Sequence, residues 1–327
     1  MLKPYLKFLD VYYGAKCNLA CSHCDTRSDI VRGTEKDPSI QTMIEGIDLV
    51  FKHFDVDYLS LLGGEPLLYL DKLVPVLEHV KSKYSTPLLI STNGFVLDKK
   101  LDEFANIIKS YGINIFVCNH FSNFEDKTLA CRVENSTIAL VEKLGMSEGD
   151  ERKFFSKFLD LQNSKNDPHF QRWIDKKSDN LLNSHSTDRY FTNGMTWLHY
   201  REQQDFKMNY RIVNLKPKPF ASGDPELSYQ LGCCSDICSF LYNKKLYKCG
   251  ALGTLENFLE KHNSLDDPDW KKYLAYKPVD LKNATNEEIE DFSNTKFSSV
   301  SACDMCPASS NFSFVKTPNN VLPIKNV

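Results

Sequence analysis

Residues 113–118 read Ile-Asn-Ile-Phe-Val-Cys, a short and almost continuously apolar run. Such a run is typical of a parallel β-strand covered on both faces, because a strand with one wet face alternates apolar and polar residues. Residues 98–111, just before it, have helical periodicity and end at Gly112, a common helix terminator. The stretch 98–118 therefore predicts one helix–strand unit of an α/β fold.

The same alternation runs through the first 145 residues. It predicts further strands at residues 7–13, 57–62 and 87–91, and further helices at residues 40–54, 71–84 and 135–144, the last capped by Asn135. Four successive strand–helix units predict a parallel sheet or barrel. In such folds the chemistry lies at the carboxyl ends of the strands.

The remainder of the chain is less regular. It predicts helical stretches at residues 151–161 and 168–182, and strands at residues 195–201 and 208–214. Residues 216–219, Lys-Pro-Lys-Pro, break the pattern and predict a domain boundary. The predicted domains are residues 1–215 and residues 216–327.

The composition excludes several classes of protein. The formal net charge of the 327 residues is −3, which gives no indication of a nucleic-acid partner. No apolar run reaches the roughly 18 residues of a membrane-spanning helix, and the N-terminus lacks the apolar core of a signal peptide. We therefore expect a cytoplasmic protein without membrane or nucleic-acid partners. Its eleven cysteines then indicate metal binding or reactive thiols rather than disulfides.

Three of the cysteines follow the first predicted strand. Cys17, Cys21 and Cys24 have the spacing Cys-x3-Cys-x2-Cys. Three thiolates on one short loop can hold three corners of a [4Fe–4S] cluster and leave one iron open for a ligand. The alternative is a zinc or structural site, in which His23, between two of the thiols, would be the fourth ligand.

Two further motifs follow the next two predicted strands. Gly63, Gly64, Glu65 and Pro66 come after the second strand, and Ser91, Thr92 and Asn93 come at the end of the third. A backbone without Cβ lets a ligand approach closely, and a carboxylate such as that of Glu65 accepts from an ammonium group. With the cysteine loop, these segments predict one site at one rim of the sheet.

Together these three motifs resemble those of the radical S-adenosylmethionine (radical SAM) enzymes. In that superfamily the three cysteines hold the cluster, the Gly-Gly-Glu-Pro segment engages the amino group of S-adenosylmethionine, and the strand-three segment lies near its ribose and carboxylate. The resemblance implies a partial (β/α)6 TIM-like barrel. It also implies reductive cleavage of S-adenosylmethionine to a 5′-deoxyadenosyl radical that abstracts hydrogen from a substrate, with electrons from a reductase, flavodoxin or ferredoxin.

A second group of cysteines lies near the C-terminus. Cys238 and Cys249 flank a predicted hairpin at residues 239–242 and 246–248, and Cys303 and Cys306 form a later Cys-x2-Cys pair. This layout resembles the twitch half of the SPASM/twitch auxiliary domains, a hairpin and a helix that hold a second [4Fe–4S] cluster. The resemblance implies these four thiolates as ligands.

The ligand set of this second site stays open in two respects. Cys234 lies four residues before Cys238 and could replace it, and Cys233 is a further candidate. A small zinc knuckle could also use the same four thiolates.

The substrate side is less marked. His120, after the fourth strand, is a candidate general base, and Arg132 a candidate partner for a carboxylate; a satisfied loop histidine and a solvated arginine are the structural alternatives. The layout of the motifs resembles radical SAM members associated with polysaccharide biosynthesis. The first strand begins near residue 7 and leaves no room for a leader-peptide domain. We therefore expect a small molecule, such as a sugar or nucleotide-sugar, to undergo dehydrogenation, epimerisation or rearrangement.

Two alternatives to this function remain. One is a peptide-modifying (RiPP-type) radical SAM maturase whose peptide is delivered by a separate protein. The other, of a different class, is a non-catalytic metal-binding interaction protein.

Overall fold

A computed structural model describes residues 3–19, 21, 24, 26–27, 37–121, 127–149, 188–202, 210–214, 216–232, 238–296 and 298–308. The helical stretches predicted at residues 151–161 and 168–182 lie outside these ranges. So do His23, Cys233, Cys234 and the first two residues of the strand predicted at 208–214.

The helices and strands follow the alternation that the sequence predicts. The strands are β1 (Tyr5–Tyr12), β2 (Asp55–Leu62), β3 (Leu88–Thr92), β4 (Ile113–Asn119), β5 (Ser147–Glu148), β6 (Arg189–Thr192), β7 (Trp197–Glu202), β8 (Arg211–Val213), β9 (Lys216–Lys218), β10 (Cys238–Tyr242), β11 (Lys245–Tyr247) and β12 (Val279–Asp280). The α-helices are α1 (Ile40–His53), α2 (Leu70–Lys83), α3 (Leu97–Tyr111), α4 (Thr128–Lys143), α5 (Pro225–Leu227), α6 (Gly250–Gly253), α7 (Leu255–Lys261), α8 (Lys271–Leu274) and α9 (Asn286–Thr295). Short 3-10 helices lie at Pro66–Leu68, Pro268–Trp270 and Ser301–Met305.

Ten of these strands form one sheet, in the order β12-β11-β10-β1-β2-β3-β4-β7-β6-β5. The six adjacent strands from β10 to β7 run parallel to one another. At the two ends of this group, β11 and β6 pair antiparallel with β10 and β7. This parallel-dominated α/β sheet is consistent with the partial TIM-like barrel, and the predicted fold class is confirmed. None of the described helices has the length and apolarity needed to cross a membrane.

The two faces of the sheet are covered differently. Side chains of one face, such as Leu9, Leu59 and Ile115, are fully buried in the main core with α1 to α4. On the other face a smaller cluster of Phe8, Tyr58 and Leu89 packs against Phe116, Trp197 and Cys238. Because side chains alternate along a strand, this second face is the interior of the partial barrel, which we call the lumen.

The predicted C-terminal hairpin is present, but it joins the main sheet. Strand β10 pairs in parallel with β1, with Phe8 opposite Cys238 and Val11 opposite Leu241. This pairing covers an edge of β1 that would otherwise present unpaired backbone groups. The hairpin therefore extends the barrel sheet instead of standing apart from it.

The Pro-rich stretch predicted as the domain boundary is also structured. Strand β9 pairs with β8 across that boundary, and the indole of Trp270 donates to the Pro217 carbonyl at 3.0 Å. Tyr210, just before β8, packs in an aromatic cluster with Phe240, Phe258 and Trp270. The stretch therefore packs against the C-terminal half and is not an open linker, while the division at residues 215/216 stays a prediction.

One predicted helix boundary is wrong. Helix α4 begins at Thr128, seven residues before the predicted cap Asn135. Ala130 and Val133 are buried against the core, and their burial favours helix over the local capping preference of Asn135. The other ends lie closer to expectation: Ser39 caps α1 by accepting from the Thr42 amide, and Gly112 ends α3 with φ of 63°.

Gly253→Ala tests the packing of α6 on β10. A Cβ at Gly253 would lie 2.4 Å from a ring carbon of Phe240, which is fully buried. We expect the free energy of unfolding to fall by about 1–3 kcal/mol in chemical denaturation. Gly46→Ala is the control, because its Cβ would meet Leu241 at an ordinary 3.4 Å within α1 and should be neutral or stabilising by up to about 1 kcal/mol. Equal effects of the two substitutions would contradict this packing.

Candidate active site

The loop that follows β1 and the loop that follows β2 dock backbone to backbone. The amide of Gly64 donates to the carbonyl of Gly14 at 2.8 Å, and the amide of Glu65 donates to the carbonyl of Lys16 at 2.9 Å. A Cβ at Gly64 would lie only 2.0 Å from the Lys16 carbonyl oxygen. The sequence predicts that these glycines admit a ligand, but their first task is to admit the neighbouring loop.

Two side chains outside the motifs hold this docked loop from the other side. One carboxylate oxygen of Asp37 accepts from the Ala15 amide at 2.8 Å, and the other accepts from the Tyr69 hydroxyl at 2.7 Å. That hydroxyl in turn accepts from the Lys16 amide at 2.6 Å. Sequence reasoning missed both residues, because Asp37 marks a helix start and Tyr69 belongs to no motif.

Glu65 joins the carboxyl ends of β2 and β3. Its carboxylate is fully buried and accepts from the Thr92 hydroxyl at 2.6 Å, the Asn93 amide at 2.9 Å and the Leu67 amide at 3.2 Å. Burial raises the pKa of Glu65 to about 7, against the lowering effect of these three hydrogen bonds. A carboxylate has about four lone-pair positions, so it can accept one further donor.

Asn93 connects the end of β3 to the cysteine loop. Its side-chain amide donates to the Asn18 side-chain oxygen at 3.0 Å and lies 3.8 Å from the Cys17 sulfur. The side-chain nitrogen of Asn18 is buried and has no hydrogen-bond partner in the described part of the chain. Asn18 therefore belongs to the site, although sequence reasoning noted only the cysteines around it.

The three thiols of the loop lie at this rim. Burial, and to a smaller extent the charge of Glu65, raises the pKa of Cys17 to about 12. The Leu19 amide lies 3.4 Å from the Cys17 sulfur. The Cys24 sulfur lies 3.4 Å from the Thr26 hydroxyl, which donates to the Gly63 carbonyl at 3.1 Å. Cys21 packs with Cys17 against the main core.

This donor set fits an iron–sulfur cluster with an open iron. Three thiols come from one loop, and amide donors near the Cys17 sulfur are of the kind that tune cluster sulfurs. Among the described residues, no group of three or more His, Cys, Asp or Glu side chains is arranged around a single metal ion. That finding concerns a single ion, whereas the ligands of a cluster bind separate irons.

Arg27 ties the cysteine loop to the C-terminal half. Its side chain is fully buried, with the guanidinium 4.3 Å from the ring centroid of Phe258 and 5.8 Å from that of Tyr210. One of its nitrogens donates to the Ala251 carbonyl at 3.0 Å. Arg27 lies three residues after Cys24, so this contact joins the cysteine loop to α6 and α7.

The C-terminal cysteines are brought together only in part. Burial raises the pKa of Cys249 to about 11, and the nearby Cys303 thiol adds to the shift. Cys306 packs against the same aromatic cluster as Cys249, whereas Cys238 packs in the lumen cluster with Phe8. The β10–β11 pairing ends with Phe240 opposite Tyr247, and only an extension of that register by two residues would put Cys238 opposite Cys249.

The predicted substrate-side residues have different surroundings. His120 follows β4, and burial lowers its pKa to about 4, so its imidazole is neutral at pH 7. Arg132 forms a two-pronged ion pair with Asp98, with both N–O distances 3.0 Å, between α3 and α4. This pair gives Arg132 a structural role and no support for a catalytic one.

Pro66 and Ser91 are the remaining site residues that the sequence predicts, and Cys118 and Cys131 are cysteines outside the motifs. Cys131 is exposed on α4 and Cys118 is partly buried near the end of β4. Pro66 is buried at the start of a 3-10 helix, and Ser91 lies in β3 opposite Phe116.

Comparisons with known proteins match the part of the chain that contains these motifs. Residues 11–135 match the family described as the radical SAM superfamily. Over 112 residues the chain is 34% identical to 7-carboxy-7-deazaguanine synthase of Methanothermobacter thermautotrophicus, covering 33% of this chain and 42% of that protein. The match thus spans less than half of the relative's length.

Two solved structures are also similar. One is SuiB of Streptococcus suis bound to the precursor peptide SuiA, with 14% identity, coverage of 84% of this chain and 68% of that one, and a TM-score of 0.40. The other is BtrN in complex with AdoMet and 2-DOIA, with 12% identity, coverage of 98% and 100%, and a TM-score of 0.43.

Gly64→Ala tests the docking of the two loops. Because the added Cβ would meet a backbone oxygen, the loops must separate, and we expect the free energy of unfolding to fall by about 3 kcal/mol. Gly149→Ala, whose Cβ meets Thr192 at 3.4 Å, should change it by less than about 0.5 kcal/mol. Denaturant unfolding measures the free energy of unfolding of both variants. A Gly64→Ala protein as stable as wild type would refute the docking.

A double-mutant cycle tests the Arg27–Phe258 contact. Arg27→Met and Phe258→Leu keep much of the apolar volume, and we expect a coupling free energy of about 1–2 kcal/mol, because this cation–π contact is desolvated. The control cycle uses Arg132 and Phe95, a more exposed pair at 4.8 Å, which should couple more weakly. Additivity at Arg27 and Phe258 in denaturant unfolding would rule the contact out.

Proposed function

We propose that this protein, whose residues 11–135 match the radical SAM superfamily, is an enzyme that binds a [4Fe–4S] cluster through Cys17, Cys21 and Cys24 and cleaves S-adenosylmethionine. The observation that carries the proposal is the closed set of contacts among three strand ends. The cysteine loop docks on Gly64, Glu65 reaches Thr92 and Asn93, and Asn93 returns to Asn18 beside Cys17.

The roles of the individual residues follow from these contacts. Gly63, Gly64, Glu65 and Pro66 would hold the methionine part of S-adenosylmethionine, where the buried carboxylate of Glu65 can accept from its ammonium group. Ser91, Thr92 and Asn93 would lie along its ribose and carboxylate. The bound cofactor would supply, after one-electron reduction, a 5′-deoxyadenosyl radical that removes hydrogen from the substrate.

An auxiliary [4Fe–4S] cluster in residues 216–327 is part of the proposal. Cys249, Cys303 and Cys306 share the surroundings that support it, and Cys238 or Cys234 would be the fourth ligand. Four protein ligands close the coordination, which suits electron transfer or structure. The electron donor would be a reductase, flavodoxin or ferredoxin.

The proposed substrate is a small molecule such as a sugar or nucleotide-sugar. It would undergo dehydrogenation, epimerisation or rearrangement, as expected of an oxidoreductase or isomerase. A peptide substrate is the alternative within the same chemistry, and metal binding without catalysis is the alternative outside it.

Iron content and cofactor cleavage test the catalytic site. We expect an anaerobically reconstituted wild-type chain with two clusters to hold about eight irons and to form 5′-deoxyadenosine from S-adenosylmethionine under dithionite. Changing Cys17, Cys21 and Cys24 together to Ala should abolish that product and remove about four irons. The control is Cys131→Ala, whose thiol is exposed on α4 and which should retain both.

The same assay separates the alternatives. Cys303→Ala should remove the auxiliary iron and leave cleavage of the cofactor in place. Product formation that survives loss of the three loop cysteines would disprove the catalytic assignment. Zinc as the bound metal, without product, would favour the non-catalytic metal-binding protein.

A further inference from the structure

The lumen contains a group of polar side chains that no motif includes. Asp188 precedes β6, and His199 and Arg201 lie on β7. His199 is 5% exposed, stacked on the Tyr190 ring at 4.3 Å and set edge-on to Phe116 at 4.4 Å. We call Asp188, His199 and Arg201 the lumen triad.

Contacts inside the triad leave hydrogen-bonding capacity unused. The His199 Nε2 atom lies 3.1 Å from Asp188 Oδ2, and because a carboxylate only accepts, this nitrogen carries the proton. The Asp188 side chain is 4% exposed, yet its other oxygen, Oδ1, has no hydrogen-bond partner among the described residues. A buried acceptor without a partner is costly, so this oxygen indicates a missing donor.

Arg201 offers the complementary chemistry. Its Nε atom lies 3.9 Å from Asp188 Oδ2, which is an ion-pair distance without a hydrogen bond, and Nε is likewise unpartnered within the described chain. Although Nε itself is buried, the Arg201 side chain as a whole is 35% exposed. Beside an unused carboxylate oxygen, the site therefore presents a guanidinium that can donate to an oxygen atom.

The register of the sheet places the triad beside the proposed cofactor site. Cys118 of β4 is opposite Arg201 of β7, and continuing the β3–β4 pairs by one residue puts Asn93 opposite Cys118. Arg201 is thus two strands from Asn93, which at about 4.8 Å per strand is roughly 10 Å. Burial raises the pKa of the Cys118 thiol to about 12, and its environment includes the charges of Arg201, Asp188 and Glu65.

We propose that the lumen triad binds the substrate, and that the substrate is a small hydroxyl-rich molecule. One hydroxyl would donate to Asp188 Oδ1 while a neighbouring oxygen accepts from Arg201, a pairing that adjacent hydroxyls of a sugar supply. His199 is a positioning residue, because it holds Asp188 through Oδ2 and leaves Oδ1 for the ligand. This inference rests on the proposed function and names the ligand class of the same active site.

The test uses the reconstituted full chain with S-adenosylmethionine and three probes: UDP-glucose, GDP-mannose and glucose 1-phosphate. Calorimetry measures binding to wild type, Asp188→Asn, Arg201→Gln and His199→Leu. We expect at least one probe to bind wild type and to bind the first two variants about tenfold more weakly or worse, since each loses a charged hydrogen bond. His199→Leu should also weaken binding, and His199→Gln, which keeps a donor, should restore part of it.

Matched surface variants control for loss of charge. Asp98→Asn and Arg189→Gln remove groups paired outside the lumen, with Arg132 and Glu148 respectively, and should bind the probe like wild type. If Asp188→Asn fails to fold, Arg201→Gln, at a partly exposed side chain, still carries the test. Asp98→Asn and Arg189→Gln should also form 5′-deoxyadenosine without probe at the wild-type rate.

The outcomes separate this inference from the proposed function. Cleavage of S-adenosylmethionine with no binding of any probe, or with binding that is equal in wild type, Asp188→Asn and Arg201→Gln, overturns the lumen triad alone. Absence of cleavage by wild type overturns the proposed function. Binding of a probe that Asp188→Asn and Arg201→Gln weaken, and that Asp98→Asn and Arg189→Gln leave unchanged, supports the inference.

Discussion

Two backbone hydrogen bonds between the segments 14–16 and 63–65 set the geometry of the rim. They require that the chain approach itself closely, since a Cβ at Gly63 or Gly64 would collide with a carbonyl oxygen of the other segment. The thiols on one loop and Glu65 on the other are thereby fixed relative to each other by main-chain atoms. A site fixed in this way loses little conformational entropy when a ligand binds, which preserves affinity.

The C-terminal half packs against the cysteine loop and the strand before it through side-chain and strand-pairing contacts. Arg27 is a buried cation that stacks on Phe258, and β10 adds to the edge of β1 from which the cysteine loop emerges. Both contacts cross from one predicted domain to the other. Loosening the C-terminal half would therefore disturb the residues next to Cys24, so the two halves share part of their stability.

The sequence predicts features that arise from nearby residues. Strand β2 and helix α3 are found within two residues, because apolar periodicity and a glycine stop are local signals. The start of α4 is missed because Asn135 resembles a cap, while burial of Ala130 decides the helix. The pairing of β10 with β1 is also missed, because it joins residues more than 200 positions apart.

The same distinction holds at the site. Cysteine spacing and the Gly-Gly-Glu-Pro segment are local patterns and can be recognised. Asp37, Tyr69 and Arg27 act through contacts with distant segments, and a fully buried arginine runs against the usual exposure of charged residues. Residues of this kind need the folded arrangement before their role can be assigned.

The position of a lumen-facing residue along its strand decides whether it can contact a ligand bound at the rim. Farther from the carboxyl ends of the strands, Phe8 and Tyr58 stack at 5.2 Å in an apolar cluster that offers no hydrogen bond to a polar ligand. One level from the top, His199 pairs with Phe116, and at the top Cys118 pairs with Arg201 beside the end of β3. Charged side chains are costly to bury without partners. Asp188 Oδ1 lies at this level, within two or three strands of Asn93, and has no hydrogen-bond partner among the described residues, which supports a ligand that binds at the same rim.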